Sequence, residues 1–169
     1  MNETEVFART GDSYLCLIHP VMEGNAYRRE IAPVIHLSSF VPDELLSNMI
    51  TGASWRERLL GLCMAMAKNP VTFIDAMVRS LHDVRGISVV PTCAALAVLA
   101  RRGLCDVTSL LTSTIDRSAF DGEVGWAIDK AIHFAGVQSN DAHGRGPNYG
   151  QVFESHTEMY QWVLDGHQD

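Results

Sequence analysis

The sequence predicts an all-α protein, built either as a HEAT-like helical repeat (an α-solenoid) or as an irregular helical bundle. Three observations predict it. From Pro42 onward apolar residues recur at i, i+3, i+4 and i+7, the spacing that lines one side of an α-helix. Capping residues stand where these stretches begin and end. The caps also recur: the N-cap candidates Ser54, Ser88 and Asp121 are 34 and 33 residues apart, and Gly103 and Gly136 are 33 apart. A period in the thirties with two helices per period is the mark of a solenoid unit. Helices of similar length joined by short loops give the same spacing in an irregular bundle.

Each element has its own signal. Pro42, Asp43 and Glu44 form a first turn ahead of Leu45, Leu46, Met49 and Ile50, with a stop at Gly52. Ser54 to Glu57 reads as a capping box, Ser54 at the N-cap and Glu57 at N3. The helix behind it carries Leu59, Leu62, Cys63 and Met66 on one face. Asn69-Pro70 stops it and starts another with Ile74, Met77, Val78 and Leu81. Ser88 to Ala100 is apolar almost all round, which calls for neighbours on several sides. Arg101-Arg102 suit its C-terminal dipole, and Gly103 supplies a left-handed cap. Asp106 caps a helix with Val107, Leu110, Leu111 and Ile115. Asp121 caps one with Val124, Ala127, Ile128, Ala131, Ile132 and Ala135, ended by Gly136. Trp55, Trp126 and Trp162 fall at helix starts or on apolar faces and are expected in the core.

The two ends carry weaker signals. Residues 1–41 have no assigned element: Tyr14 to Ile18 suits a short helix or strand, and Tyr27 to Leu37, interrupted by Pro33, suits at best two short pieces. Residues 137–153, with Gly144, Gly146, Pro147 and Gly150, read as a long loop. Ser155 to Glu158 reads as a second capping box, opening a last helix over 155–165 with Met159, Trp162 and Val163.

At 169 residues the chain fits one domain, and 47% hydrophobic against 20% charged residues excludes disorder. Thirteen Lys and Arg against 20 Asp and Glu give a net charge of −7, which argues against direct nucleic-acid binding and suits a basic partner. The first twelve residues lack the basic and apolar pattern of a secretory signal, and no apolar run reaches a membrane span. The cytosol is therefore the expected compartment, with all four cysteines reduced and Cys63 and Cys93 serving as small hydrophobes.

Catalytic patterns are missing. The seven histidines form no H-x-x-x-H pair or H-E-x-x-H motif. Asp141, His143 and His156 make the nearest grouping, which reads as ordinary surface histidines. His82 and His133 sit near helix ends, where positive charge suits the dipole. Gly144 to Gly150 lacks the Lys-Ser/Thr of a phosphate loop, and no serine or cysteine has an assigned base. No cofactor and no metal site are expected, and an enzyme or small-ligand protein using His143 and Tyr149 is the weakest of three classes. Recognition remains. In a solenoid the second helices of successive units line one face. Here they offer Asp75, Arg79, His82 and Asp83, then Thr108, Thr112 and Asp116, with Asp106, Asp121 and Glu123 in the turns.

The stretches Ser54-Trp55-Arg56-Glu57-Arg58-Leu59-Leu60-Gly61-Leu62, Thr92-Cys93-Ala94-Ala95-Leu96-Ala97 and Trp126-Ala127-Ile128 resemble a helical-repeat family of small bacterial proteins. Some of these resemble immunity proteins of contact-dependent inhibition and other polymorphic toxin systems. The resemblance covers about residues 42–136 and rests on helix-forming and core positions. It implies a protein that binds and blocks a cognate toxin domain in the cytosol, a role that requires no catalytic residue. A nuclease toxin would present a basic groove. An acidic blocker would meet it with Asp75, Asp83, Asp116, Asp121 and Glu123, and with Tyr149 as an aromatic anchor. The competing surface is the N-terminal segment with Tyr27, Arg28 and Arg29. A helical adaptor for another protein or peptide is the alternative function.

Overall fold

A computed structural model describes residues 1–20, 25–83, 86–113, 123–136 and 147–166. These residues form α1 (Glu3–Thr10), α2 (Asn25–Ser38), α3 (Asp43–Ile50), α4 (Trp55–Lys68), α5 (Ile74–Leu81), α6 (Val89–Arg101), α7 (Val107–Ser113), α8 (Glu123–Phe134) and α9 (Pro147–Leu164). Short 3₁₀ turns lie at Gly11–Leu15, Pro70–Phe73 and Gly86–Ser88. No β-strand occurs among the described residues, so the fold is all-α. None of these helices is long and apolar enough to cross a membrane.

Local chemistry explains most boundaries. Ser54 caps α4 as its sequence requires: its hydroxyl accepts from the Arg56 amide at 3.2 Å, and the Glu57 carboxylate accepts from the Ser54 amide at 3.3 Å. Asp106 accepts from the Ser109 amide at 3.0 Å and starts α7. Gly103, at φ +71°, closes α6 in a Schellman turn, with its own N–H on the Ala100 carbonyl at 2.8 Å and that of Leu104 on Leu99 at 2.9 Å. Ser88 holds the N-cap position of α6 without a side-chain capping bond. Its carbonyl instead accepts from the Thr92 hydroxyl at 2.8 Å.

The core is organised around α4 and α6. Every residue of α6 from Val89 to Leu99 is buried, because α4, α5, α7, α8 and α9 all pack on it. α4 is buried continuously from Arg58 to Met66, beyond the single face that Leu59, Leu62, Cys63 and Met66 predict, since α2, α3, α6 and α9 surround it. Cys63 and Cys93 are fully buried free thiols. Gly61 lets the end of α3 approach: a Cβ there would meet the Ile50 amide nitrogen and the Met49 Cβ, each at 3.0 Å. Trp55, Trp126 and Trp162 are half-buried at the margins of the core rather than inside it.

The ends of the chain depart from the sequence reading or complete it. α1 starts with a capping box at Asn2, whose side chain accepts from the Glu5 amide at 3.0 Å while Glu5 accepts from the Asn2 amide at 2.8 Å. α2 runs unbroken through Pro33. That proline and Arg29, whose carbonyl loses its helical donor, are both exposed, so the ring stands on the solvent-facing side of the helix, where the lost bond is best tolerated. The last helix begins at Pro147, not Ser155, so the predicted loop 137–153 is helical over its final part and the second capping box lies inside α9. Proline at the first position is a helix start, and the packing of an eighteen-residue helix outweighs the loop propensity of Gly150. His156, expected at the surface, is fully buried.

Candidate functional site

Of the acidic residues chosen from the sequence, Asp75 and Asp83 are described with their side chains, and they stand at opposite ends of α5. Asp75 is exposed in the first turn of α5, and Asp83 is exposed just past its other end, roughly 12 Å of helix away. Asp83 is committed to the scaffold. Its carboxylate lies 3.2 Å from Arg58 Nη2, and its carbonyl accepts from Arg58 Nη1 at 2.5 Å. The same guanidinium donates to the carbonyls of Gly52 at 2.7 Å and Ser80 at 2.9 Å. Asp116 and Asp121 lie outside the described residues. Glu123 opens α8 and Tyr149 lies in the first turn of α9, where only the backbone is described. On the competing N-terminal surface, Tyr27 is buried, Arg28 lies over the Trp162 ring at 5.6 Å and Arg29 is exposed.

A different cluster comes together where the 3₁₀ turn Gly11–Leu15 packs against α1, α2 and α4. Tyr14 meets Trp55 edge to face at 5.8 Å between ring centroids. The exposed Arg56 lays its guanidinium over both rings, 5.0 Å from Tyr14 and 5.3 Å from Trp55. Leu15, next to Tyr14, is 52% exposed. Beside it lies an open cleft of about 430 Å³ lined by Asp12, Ser13, Leu15, Cys16 and Glu30. Within the cleft the Cys16 thiol donates to a Glu30 oxygen at 2.7 Å. Burial, then the Glu30 hydrogen bond and charge, pushes the thiol up to about 11, so it is no nucleophile near neutral pH.

The chemistry available here is binding. The cleft offers two carboxylates beside Leu15, and the ledge next to it offers an edge-to-face aromatic pair, an arginine and that exposed leucine. Trp, Tyr and Arg are the side chains that concentrate binding energy at protein interfaces. Among the described residues no group of three or more His, Cys, Asp or Glu could hold a metal ion. His19, His36, His82 and His133 are exposed surface histidines, as expected, while His143 lies outside the described residues. The sequence signal for the ledge is split: Trp55-Arg56 marks a helix start, and Tyr14-Leu15 belongs to a segment without a clear element signal. Only folding joins them. Compared with protein-family models, curated proteins and solved structures, the chain gives no match.

Proposed function

We propose that this chain is a non-enzymatic immunity protein that binds a cognate bacterial toxin domain in the cytosol and covers its active site or substrate surface. The observation that carries this reading is the ledge of Tyr14, Leu15, Trp55 and Arg56 beside a carboxylate-lined cleft. An exposed leucine beside an edge-to-face aromatic pair and an arginine suits protein binding, and Asp12 and Glu30 favour a basic partner. The net charge of −7 works in the same sense at long range and speeds encounter with such a partner. A nuclease domain, whose substrate groove is basic, is the toxin class this charge suits best. We further propose that the central helices are HEAT-like, since α4, α6 and α8 start 34 residues apart at Trp55, Val89 and Glu123.

The test is a complex. If the gene upstream encodes a large secreted protein with a variable C-terminal domain, co-expression of this chain with that domain should restore growth, and the purified pair should associate. Leu15→Asp or Arg56→Ala should then weaken affinity by about thirtyfold, the effect of removing a hot-spot residue worth about 2 kcal/mol. No association with that domain overturns the immunity reading. Association that survives both ledge substitutions, yet falls when Asp75, Asp121 and Glu123 are replaced together by Lys, moves the interface to those acidic residues.

A further inference from the structure

His156, midway along α9, joins the two ends of the chain. It is fully shielded from solvent. Its Nδ1 lies 2.7 Å from the Val152 carbonyl oxygen one turn back, and its Nε2 lies 2.9 Å from the Leu17 carbonyl, 139 residues away. A neutral imidazole carries one N–H, so it can donate to only one of these oxygens and must turn a lone pair toward the other. An imidazolium would donate to both but would sit buried without a counter-ion, because no carboxylate pairs with the ring among the described residues.

The titratable groups of α9 and of the elements that neighbour it do not supply that counter-charge. On α9 itself, the Tyr160 ring stands 6.1 Å away with its hydroxyl pushed well up by burial, and Glu154 and Glu158 are exposed. Glu154 faces Lys130 of α8 at 3.9 Å. From α2, the Tyr27 hydroxyl donates to the Cys16 carbonyl at 2.8 Å, and Glu30 takes the Cys16 thiol. From α4, Cys63 is held neutral, its thiol pushed up by burial to about 12, and burial pushes Cys93 of α6 up likewise. Arg101 of α6 lies over the Phe134 ring, and Arg102 past its end pairs with Asp165 at 2.6 Å. From the N-terminal segment comes His19, whose positive charge opposes a second one.

We propose that the His156–Leu17 contact is an acid-sensitive latch: proton uptake by the ring releases residues 11–20 from α9 and uncovers the apolar seam of Leu17, Tyr27, Met159 and Tyr160. In the closed form burial outweighs the two carbonyls and lowers the ring to about 4, against 6.5 for a hydrated imidazole. The opened form therefore binds the extra proton first. Opening grows as pH falls from about 6.5 to about 4 and is level outside that window. Between about pH 7.5 and about pH 5 the opening constant should rise about thirtyfold.

Amide hydrogen exchange of residues 11–19, corrected for intrinsic rates and compared with α6 as an internal reference, reads this directly. The wild-type segment should lose protection by that factor and stay far less protected than α6 at both pH values, as an opening short of global unfolding requires. His156→Gln, which keeps an amide donor for Leu17 but cannot titrate, should flatten the pH dependence. A wild-type segment equally protected at both pH values overturns the latch, and so does a His156→Gln variant that keeps the full pH dependence. Should that variant fail to fold, the wild-type ring resonances decide. A His156 signal titrating near its ordinary value while the segment stays protected means that the two carbonyls hold the cation in place, and the latch is wrong.

Discussion

Arg58 is 1% exposed and charged, yet its environment satisfies it. Its guanidinium reaches three carbonyls, at Gly52, Ser80 and Asp83, and one carboxylate, so one side chain ties the α3–α4 turn to the end of α5. The planar fork is what makes this geometry possible, and a lysine could not copy it. Arg58→Ala would leave buried carbonyls unsatisfied around a cavity and should cost about 3–5 kcal/mol in urea unfolding. Asp83→Asn should cost about 1 kcal/mol or less, because the carbonyl contact stays and the exposed carboxylate contributes as a surface pair. In the sequence, Asp83 is one more acid on a polar face and Arg58 one more charge behind a capping box. Their pairing spans 25 residues and two turns, which no local pattern encodes.

Elements were legible where their signals are local. The Ser54 capping box, the Asp106 cap and the Gly103 stop all stand where their residue types put them, because each needs only a few neighbouring backbone groups. The Asn2 box is written with the same grammar but lacks the long apolar repeat that drew notice to Ser54. Pro33 and Pro147 mislead in the sequence because a proline's effect depends on its position in the helix and on what packs against it. Helix-to-helix distance is likewise set by contact. Gly61→Ala should gain about 1 kcal/mol of helix propensity but force Ile50 and Met49 of α3 away from α4, at about 1–3 kcal/mol. The expected balance is destabilisation by about 1 kcal/mol, read as a lower urea midpoint with unchanged slope. An alanine variant more stable than the parent would show that the α3–α4 contact yields freely.

At the scale of the molecule, the chain closes on itself. α9 packs on both α4 and α6, the Tyr27 hydroxyl lies 3.3 Å from Met159 Sδ, and His156 meets Leu17. This closure predicts the shape of stability against pH. The depressed His156 contributes stability that is present above about pH 6.5 and is lost toward about pH 4, on the order of 3 kcal/mol in all. Glu3 acts in the opposite sense: burial and its neighbour Glu57 raise its carboxyl, so its contribution is present at low pH and lost as pH rises. Glu3 is mostly exposed, so the histidine dominates and the acid limb should be shallower in His156→Gln, as chemical denaturation at several pH values would show. The sequence by itself determined that the chain is helical, where most central helices begin and stop, and that α6 is buried on all sides. Periodicity and caps are short-range, and each residue reports its own neighbourhood. Only the tertiary structure decided that Tyr14, Leu15, Trp55 and Arg56 share a ledge, that Arg58 holds Asp83, and that His156 lies at a seam between the chain's ends. Those placements depend on contacts between residues 25 to 139 positions apart, and such contacts exist only once the core has formed.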